Sequence, residues 1–191
     1  MNIQPVTLEG RTVRIEPLDR RHAADMAEAA DDDIFKYHVL LPEISTAGFE
    51  RYIETLLSRP NMVPFAQVLV ATGKAIGGTT YMDIQTANRG VEIGTTWIGR
   101  AYHGTLVNPE AKYLLLRHAF EDQGTIRVQL KTDGRNLQSQ RAIEKLGAVR
   151  EGVLRNHVVM PDGFLRASVM YSITHEEWPA VKARLEERLG Y

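Results

Sequence analysis

Residues 91–112 carry the residue types and spacing that point most directly to chemistry. They read as a strand, a glycine-containing loop and the N-terminus of a helix. Backbone N–H groups in such a loop, together with the dipole of the following helix, form a site suited to a pyrophosphate. Gly104 would give the loop its backbone freedom, and Asn108 is expected to cap a helix that Pro109 enters. The alternative is an ordinary strand-to-helix turn without a ligand.

Residues 132–152 contain a short helix with polar side chains near its start. Asn136 is a favoured N-cap residue, and Ser139 follows three residues later on the same helix face. Arg141 lies two residues further, and Gly147 suits the left-handed conformation that ends a helix. Each polar residue also has an ordinary interpretation, which is capping for Asn136 and solvent exposure for Ser139 and Arg141.

A general base is harder to place. Glu92 lies in a strand, and alternation predicts that its side chain points away from its apolar neighbours. The positions expected on the opposite face are Val91, Ile93, Thr95 and Trp97. A carboxylate can accept a proton, but a strand glutamate can equally face solvent. His157 is an ordinary polar strand position on its own, although an unperturbed imidazole pKa of ~6.5 suits a base near neutral pH.

Three consecutive carboxylates, Asp31, Asp32 and Asp33, form a further candidate patch between two predicted helices. Clustered carboxylates would attract a cationic amine. The alternative interpretation is a solvated loop that caps a helix.

Composition excludes several classes of protein. The chain has 191 residues, of which 43% are hydrophobic and 25% charged, as in an ordinary globular domain. With 23 Lys+Arg against 24 Asp+Glu, it lacks the basic excess of nucleic-acid-binding proteins. It has no cysteine, and its six histidines lack the spacing of a helical metal site, so we expect no metal. No apolar run approaches ~18 residues and no signal peptide is evident, which favours a cytoplasmic protein without membrane contact.

The elements that must position these residues alternate along the whole length, which predicts one α/β domain over residues 1–191. Predicted strands cover residues 12–17, 65–72, 75–84, 91–98 and 125–131, and two more flank the turn at 160–163. Of these, the second to fourth should form an antiparallel meander. Predicted helices cover residues 20–31, 45–58, 108–122, 136–147 and 174–189.

The second segment resembles a known family motif. Asn136-x-x-Ser139-x-x-Ala142-Ile143-Glu144-Lys145-Leu146-Gly147 is similar to the helix that follows the fifth strand in the GNAT superfamily of acyl-CoA N-acyltransferases. Upstream, Glu92-Ile93-Gly94, Trp97 and the stretch 108–112 resemble its RimJ/RimL branch, the ribosomal-protein N-terminal acetyltransferases. The resemblance extends over essentially the full chain, from Leu8 to Trp178.

The resemblance implies an α/β fold of the α+β type: a single domain with a splayed, mixed, mostly antiparallel sheet flanked by helices. Acetyl-CoA would lie at the split, with its pantetheine along the strand and its pyrophosphate on the loop. Arg141 would reach the phosphates or adenine. Two departures from the family's loop pattern, at Ala101 and Leu106, leave Arg100 as a substitute cation. The residues implied in cofactor binding are Thr96, Trp97, Ile98, His103, Gly104, Thr105, Leu106, Val107, Asn108, Asn136, Ser139 and Arg141.

The implied reaction is transfer of an acetyl group to a primary amine by direct attack on the thioester, with no covalent enzyme intermediate. Glu92 would act as the base and Ser139 as the acid at the CoA sulfur. The acceptor would be a peptide or protein N-terminus or a small-molecule amine, and the protein could form a homodimer. Two alternatives stay open: a non-catalytic acyl-CoA-binding module, and a transferase for another acyl-CoA such as succinyl-CoA.

Overall fold

Eight strands form one sheet that extends through the whole molecule. In this computed structural model, which describes residues 1–191, the strands are β1 (Leu8–Glu9), β2 (Val13–Pro17), β3 (Met62–Leu69), β4 (Ala75–Gln85), β5 (Gly90–Ile98), β6 (Arg127–Asp133), β7 (Val149–Val159) and β8 (Leu165–Thr174). Their order in the sheet is β1-β2-β3-β4-β5-β6-β8-β7. All neighbours are antiparallel except β5 and β6, which are parallel. The mixed, mostly antiparallel sheet is therefore confirmed.

Five α-helices flank the sheet, close to their predicted positions. They are α1 (Ala23–Ala29), α2 (Thr46–Leu57), α3 (Val107–Arg117), α4 (Leu137–Leu146) and α5 (Trp178–Leu189). α1 is shorter than predicted because residues 20–22 form a 3-10 turn and Ala30 is extended. The longest helices have 12 residues, and none of the five combines the length and apolar character needed to cross a bilayer.

The parallel strands β5 and β6 separate after a short ladder. Their paired residues end at Glu92 and Gln129, although β5 continues to Ile98 and β6 to Asp133. Beyond Glu92, the backbone of β5 is paired only on its β4 side. The splayed sheet is thus confirmed, and one wall of the opening carries backbone donors and acceptors that a ligand can use.

A bulge at Thr95 changes which side chains share a face of β5. Thr95 has a φ of 49°, unusual for a β-branched residue, and the pairing of β5 with β4 is irregular there. Such a bulge turns the residues that follow it to the other face. The prediction that Val91, Ile93, Thr95 and Trp97 share one face is therefore wrong. Val91 and Ile93 lie in one core and Trp97 lies in the other, on the same side as Glu92.

The two faces of the sheet are covered unequally. The larger core packs α3, α4 and α5 against one face. On the opposite face, α1 packs on β4 and α2 on β3 around the aromatic side chains Phe35, Phe49 and Trp97, whose ring centroids are 5.1–6.2 Å apart. Over β6 and β8 that face carries polar side chains instead of a helix-covered apolar core. A polar surface without a covering helix therefore lies beside the split, and most of its side chains are buried.

Glu110 fixes the start of α3 to the rest of the molecule. Its buried carboxylate accepts the backbone N–H groups of Arg11, Thr12 and Val13 at 2.7–2.8 Å and the hydroxyl of Tyr191 at 2.6 Å. Burial opposes the charge, but these hydrogen bonds hold the pKa of Glu110 below its ordinary value. The loop that precedes α3 is therefore attached to a firmly anchored helix.

Candidate active site

The loop of residues 103–108, called here the α3 loop, enters its helix two residues earlier than predicted. α3 begins at Val107 with Leu106 in the cap position, so Asn108 is the second helical residue and not the cap. No side chain caps this helix. Pro109 still lies in the first turn, where its missing N–H leaves no intrahelical bond unmade.

Free N–H groups in the α3 loop suit an anion. The amides of Gly104, Leu106 and Asn108 donate to no other group of the chain. Gly104 has a φ of 77° and Leu106 an ordinary φ of −77°, so the larger side chain is not strained. With the helix dipole behind them, these donors fit the diphosphate of an acyl-CoA.

The two sequence motifs meet in space through His103. Its Nε2 lies 3.1 Å from the carbonyl oxygen of Ile98, and because a carbonyl only accepts, Nε2 carries the proton. Nδ1 can then accept from the side-chain amide of Gln138 at 3.5 Å. Gln138 lies in the first turn of α4, so the α3 loop and the start of α4 face each other across the opening.

The start of α4 is organised by Asn136. Its Oδ1 accepts the backbone N–H of Ser139 at 3.0 Å, which confirms the predicted cap. Gly147 ends the helix with a φ of 101°, as predicted. The hydroxyl of Ser139 makes no hydrogen bond within the chain, and Arg141 is exposed without an ion-pair partner. All three side chains retain groups that could bind a ligand.

The unpaired wall of β5 contains the three residues expected beside pantetheine. Trp97 is buried among aromatic rings, and its carbonyl oxygen accepts from the side-chain amide of Gln67 at 3.1 Å. Ile98 is buried in the larger core. Thr96 faces α3, where its hydroxyl lies 2.8 Å from that of Thr79.

Lys112 is an unexpected neighbour of this wall. Its Nζ donates to the hydroxyl of Thr96 at 2.6 Å and lies 3.5 Å from that of Thr79. No carboxylate lies within ion-pair distance, and burial lowers the pKa of Lys112 to about 7. A buried amine without a counter-ion is costly, so its role is either to hold the bulged strand or to act on a ligand.

Glu92 is buried on the polar face and held by two partners. Its Oε2 accepts from the side-chain amide of Gln129 at 2.8 Å and from Nζ of Lys131 at 2.9 Å. Its Oε1 accepts no hydrogen bond, yet it is not enclosed by protein atoms. One oxygen therefore anchors the side chain while the other can receive a proton. The solvent-facing alternative for Glu92 is wrong, because β6 covers it.

A second polar group lies further along the same face. Asp133 is buried, and although burial raises its pKa, the side chain and backbone N–H of Arg135 lower it overall. Ser168, opposite Asp133 in the sheet, accepts from Nε of Arg166 at 3.1 Å. We call this surface the polar floor; its residues are Glu92, Gln129, Lys131, Asp133, Arg166 and Ser168.

His157 borders the polar floor. A bulge in β7, where Asn156 has a φ of 49°, brings Nδ1 of His157 to 3.0 Å from the hydroxyl of Ser168. A hydroxyl donates one hydrogen and accepts two, so Ser168 can donate to Nδ1 or accept from it while it also accepts from Arg166. The contact therefore fits either tautomer, and His157 stays a second candidate base beside Glu92.

One cation, Arg100, pairs with two of the three carboxylates of the acidic triplet, while Asp32 forms no ion pair. Arg100 binds Asp31 with two hydrogen bonds of 3.0 Å and reaches Asp33 at 3.0 Å. Its hydrogen bond lowers the pKa of Asp31, which also caps a 3-10 turn at Ile34. Arg100 is thus engaged away from the α3 loop, and the patch is a weaker attractant for a cation than its sequence suggests.

Sequence reasoning missed six residues of this region, all of them in regular helices or strands: Lys112, Gln129, Lys131, Asp133, Arg166 and Ser168. A weak signal existed for Lys112 alone, because it ends the stretch 108–112 that resembles the family.

Comparison with known proteins agrees with this geometry. Residues 12–149 match the family model described as acetyltransferase (GNAT) domain. The chain is 25% identical over 177 residues to the "Putative ribosomal N-acetyltransferase YdaF" of Bacillus subtilis (strain 168), covering 90% of this chain and 94% of that protein.

Two solved structures extend the comparison. A protein of T. thermophilus described as "putative acetyltransferase" is 42% identical with a TM-score of 0.92, covering 99% of this chain and 100% of the other. RimJ of Mycobacterium smegmatis, solved in complex with CoA-disulfide, is 22% identical with a TM-score of 0.80, covering 97% of this chain and 95% of that one. At that identity, the likeness to RimJ concerns the fold alone.

Proposed function

The chain belongs to the acetyltransferase (GNAT) family, and we propose that it transfers the acetyl group of acetyl-CoA to a primary amine. The favoured acceptor is the α-amine of a peptide or protein, with a small-molecule amine as the other class. One observation carries the proposal: the split between β5 and β6 has free N–H donors at its α3 loop and a buried carboxylate with one free oxygen beside it.

The donor half of the proposal rests on unsatisfied backbone groups. We assign the diphosphate to the amides of the α3 loop, chiefly those of Gly104, Leu106 and Asn108. The pantetheine arm would pair with the open edge of β5 from Thr96 to Ile98 and with Asn136. Arg141 would supply a solvent-exposed positive charge for the phosphates. RimJ, which shares this fold, was solved in complex with CoA-disulfide, and a CoA ligand in that fold supports the assignment.

The chemistry requires one bond to form and one to break. The lone pair of the amine nitrogen attacks the thioester carbon, the carbon–sulfur bond then breaks, and CoA leaves as a thiolate. Oε1 of Glu92 takes the proton from the amine, directly or through a water molecule. Backbone N–H groups near Trp97 and Ile98 polarise the thioester carbonyl, and Ser139 donates a hydrogen bond to the departing sulfur.

The preference for an α-amine follows from acid–base arithmetic. An α-amine with a pKa of ~7.7–8.0 is roughly 10–20% neutral at pH 7, whereas a lysine side chain at ~10.4 is well under 0.1% neutral. A weak or water-relayed base suits an α-amine better than a lysine side chain, because more of the α-amine is already deprotonated. The name of the B. subtilis relative, a ribosomal N-acetyltransferase, points to the same acceptor class and to a cytoplasmic reaction.

Thiol release from acetyl-CoA, measured with a panel of amines, tests the proposal. The panel should contain peptides with free N-termini, the same peptides with blocked N-termini and one lysine, and small amines. We expect release with free N-termini and a mass increase of one acetyl group on the peptide. Release of no thiol, with CoA still raising Tm, would identify a non-catalytic binding module. Turnover with succinyl-CoA and not acetyl-CoA would assign a different acyl donor.

A further inference from the structure

Arg166 is the one cation of the polar floor without a carboxylate of its own. Lys131 pairs with Glu92 at 2.9 Å, and Arg135 beside the floor pairs with Asp133 at 2.7 Å. No carboxylate lies within 4.0 Å of the Arg166 guanidinium, although the residue is only 7% exposed. Glu92 and Asp133 are thus each paired with another cation, and with Arg135 included the three cations exceed the two carboxylates by one.

The donors of Arg166 are mostly unused. Its Nε donates to the hydroxyl of Ser168 at 3.1 Å and its Nη1 reaches the carbonyl oxygen of Tyr37 at 3.4 Å. Nη2 donates to no group of the chain, yet it is not enclosed by protein atoms. A guanidinium has five N–H donors arranged to bind a carboxylate with two parallel bonds. A ligand can therefore reach an end of Arg166 that the chain leaves unbound.

Two carboxylates act on Arg166 through space without forming an ion pair with it. Burial lowers the pKa of Arg166, and the charges of Asp133 and then Glu92 oppose that shift without reversing it.

The other neighbours of Arg166 supply no anion. His38 is a neutral imidazole at pH 7, because burial and then the charge of Arg166 lower its pKa to about 4. Arg135 stacks over the ring of Phe164, with its guanidinium carbon 3.7 Å from the centroid. Neither residue adds negative charge beside Arg166.

We propose that Arg166 binds a carboxylate of the acceptor, so that the preferred substrate is an amine carrying a carboxylate nearby. This inference rests on the proposed acetyl transfer, because it deepens the description of the same site. Glu92 and Arg166 lie on one face of the sheet, which would hold the reacting amine and the carboxylate of one molecule at two points. The carboxylate has two sources: the α-carboxylate of a free amino acid, or an acidic side chain near a peptide N-terminus.

Matched acceptor pairs distinguish the two sources. One pair is serine and serinamide; the other is a peptide with aspartate at its second position and the same peptide with asparagine there. We expect kcat/KM, referred to the neutral amine because a neighbouring carboxylate raises an amine's pKa, to be at least tenfold higher for the carboxylate member of one pair, the range of a charge-assisted hydrogen bond. Equal kcat/KM in both pairs would overturn the carboxylate site while leaving acetyl transfer intact.

Variants locate the preference on Arg166. Arg166→Gln leaves no carboxylate unpaired, and we expect it to reduce the preference to less than twofold with KM for acetyl-CoA unchanged. Arg166→Lys keeps the charge but loses the planar fork, so it should retain part of the preference. Arg188→Gln, at an exposed arginine of α5, is the control and should keep all of it. A preference that survives in Arg166→Gln would overturn the assignment.

A binding measurement makes the test independent of turnover. Calorimetry on the CoA-loaded protein should show tighter binding of N-acetylserine than of its amide, or of the acetylated aspartate peptide than of its asparagine partner. The difference should vanish in Arg166→Gln. Selective binding without acetylation of any acceptor would support the carboxylate site and contradict the proposed transfer. Binding that does not distinguish carboxylate from amide would contradict the site itself.

Discussion

The two sides of the split are built from different parts of the chain. The α3 loop and the start of α4 offer backbone N–H groups and a helix cap from two short, nearly continuous segments. The polar floor gathers side chains from three strands, held by the pairing of β5, β6 and β8. The first arrangement depends little on side-chain identity, and the second depends on it entirely. Such a division would suit a family whose members share one acyl donor and differ in their acceptors.

The polar floor also differs from the α3 side in whether a buried charged group has a counter-ion. Glu92 has Lys131 beside it, while Lys112 behind β5 has only threonine hydroxyls. A buried carboxylate with a cation is stable in its charged form, whereas a buried amine without an anion is not. The difference predicts that substitutions on the floor change catalysis and that substitution of Lys112 changes stability.

Glu92→Gln is the substitution with the largest expected effect. It keeps the shape of the side chain and removes the base, so kcat should fall by ~10²-fold or more. The loss should shrink at high pH, where the amine loses its proton to solvent, and KM for acetyl-CoA should change little. Glu151→Gln, at a carboxylate held by Arg127 and Ser172 near the edge of the sheet, is the control. An unchanged kcat with an unchanged pH profile would move the role of base to water or His157.

Lys112→Met tests the other half of the contrast. The folded protein binds this proton with a pKa of about 7 instead of 10.5, so between these values folding releases a proton and stability rises with pH. At pH 8 the lowered pKa of Lys112 reduces the free energy of unfolding by about 3 kcal/mol, and methionine would remove this loss. Methionine also loses the hydrogen bonds of the ammonium group, which takes back about 1 kcal/mol. We expect a net stabilisation of about 2 kcal/mol at pH 8 that disappears by pH 10.

The control for Lys112→Met is Lys145→Met, at an exposed lysine of α4. Urea unfolding at both pH values gives the comparison, and the control should show no pH-dependent gain. A Lys112→Met protein that is less stable than the wild type at pH 8 would mean that the ammonium has a favourable partner. The contrast between the two buried charges would then be wrong.

Ser139→Ala should have a smaller effect, on kcat alone. A hydroxyl is a poor acid, so its contribution is a hydrogen bond that strengthens as charge develops on sulfur. We expect kcat to fall at least tenfold while KM for acetyl-CoA stays within a few-fold, as measured by thiol release. If KM rises and kcat is kept, Ser139 binds the ground state of the donor and is not the acid.

Arg141→Gln should have the smallest effect, on donor binding. Its exposed guanidinium interacts through water, so KM for acetyl-CoA should rise only about threefold, and less at high salt. Arg59→Gln, at an exposed arginine after α2, should leave KM unchanged. Equal behaviour of the two variants would remove Arg141 from the donor site.

Much of the fold and of the donor side could be predicted from the sequence because the signals are local. Alternating strands, the cap at Asn136 and the glycine at position 147 each depend on a few consecutive residues. α3 begins two residues before its predicted position, since Pro109 is compatible with several first-turn positions. The anion site is built from free backbone amides of the α3 loop and not from its side chains, so the earlier helix start leaves the site unchanged.

The floor could not be predicted to the same extent because it depends on register and on bulges. One residue of bulge at Thr95 reverses the face of Trp97, and alternation cannot foresee it. Lys131 meets Glu92 only through the pairing of β5 with β6, and His157 meets Ser168 only through the pairing of β7 with β8. Contacts between distant strands leave no local signature in one sequence.

Hydrogen–deuterium exchange with and without CoA tests the central claim most directly, because it needs no acceptor. We expect slower exchange for amides in residues 103–108 and along residues 93–98 of β5 when CoA is added. Residues 154–168, which join β7 to β8 beside the polar floor, should change little. Tm measured on the same samples shows whether CoA is bound. Binding that protects residues 154–168 and leaves residues 93–108 unchanged would contradict the account.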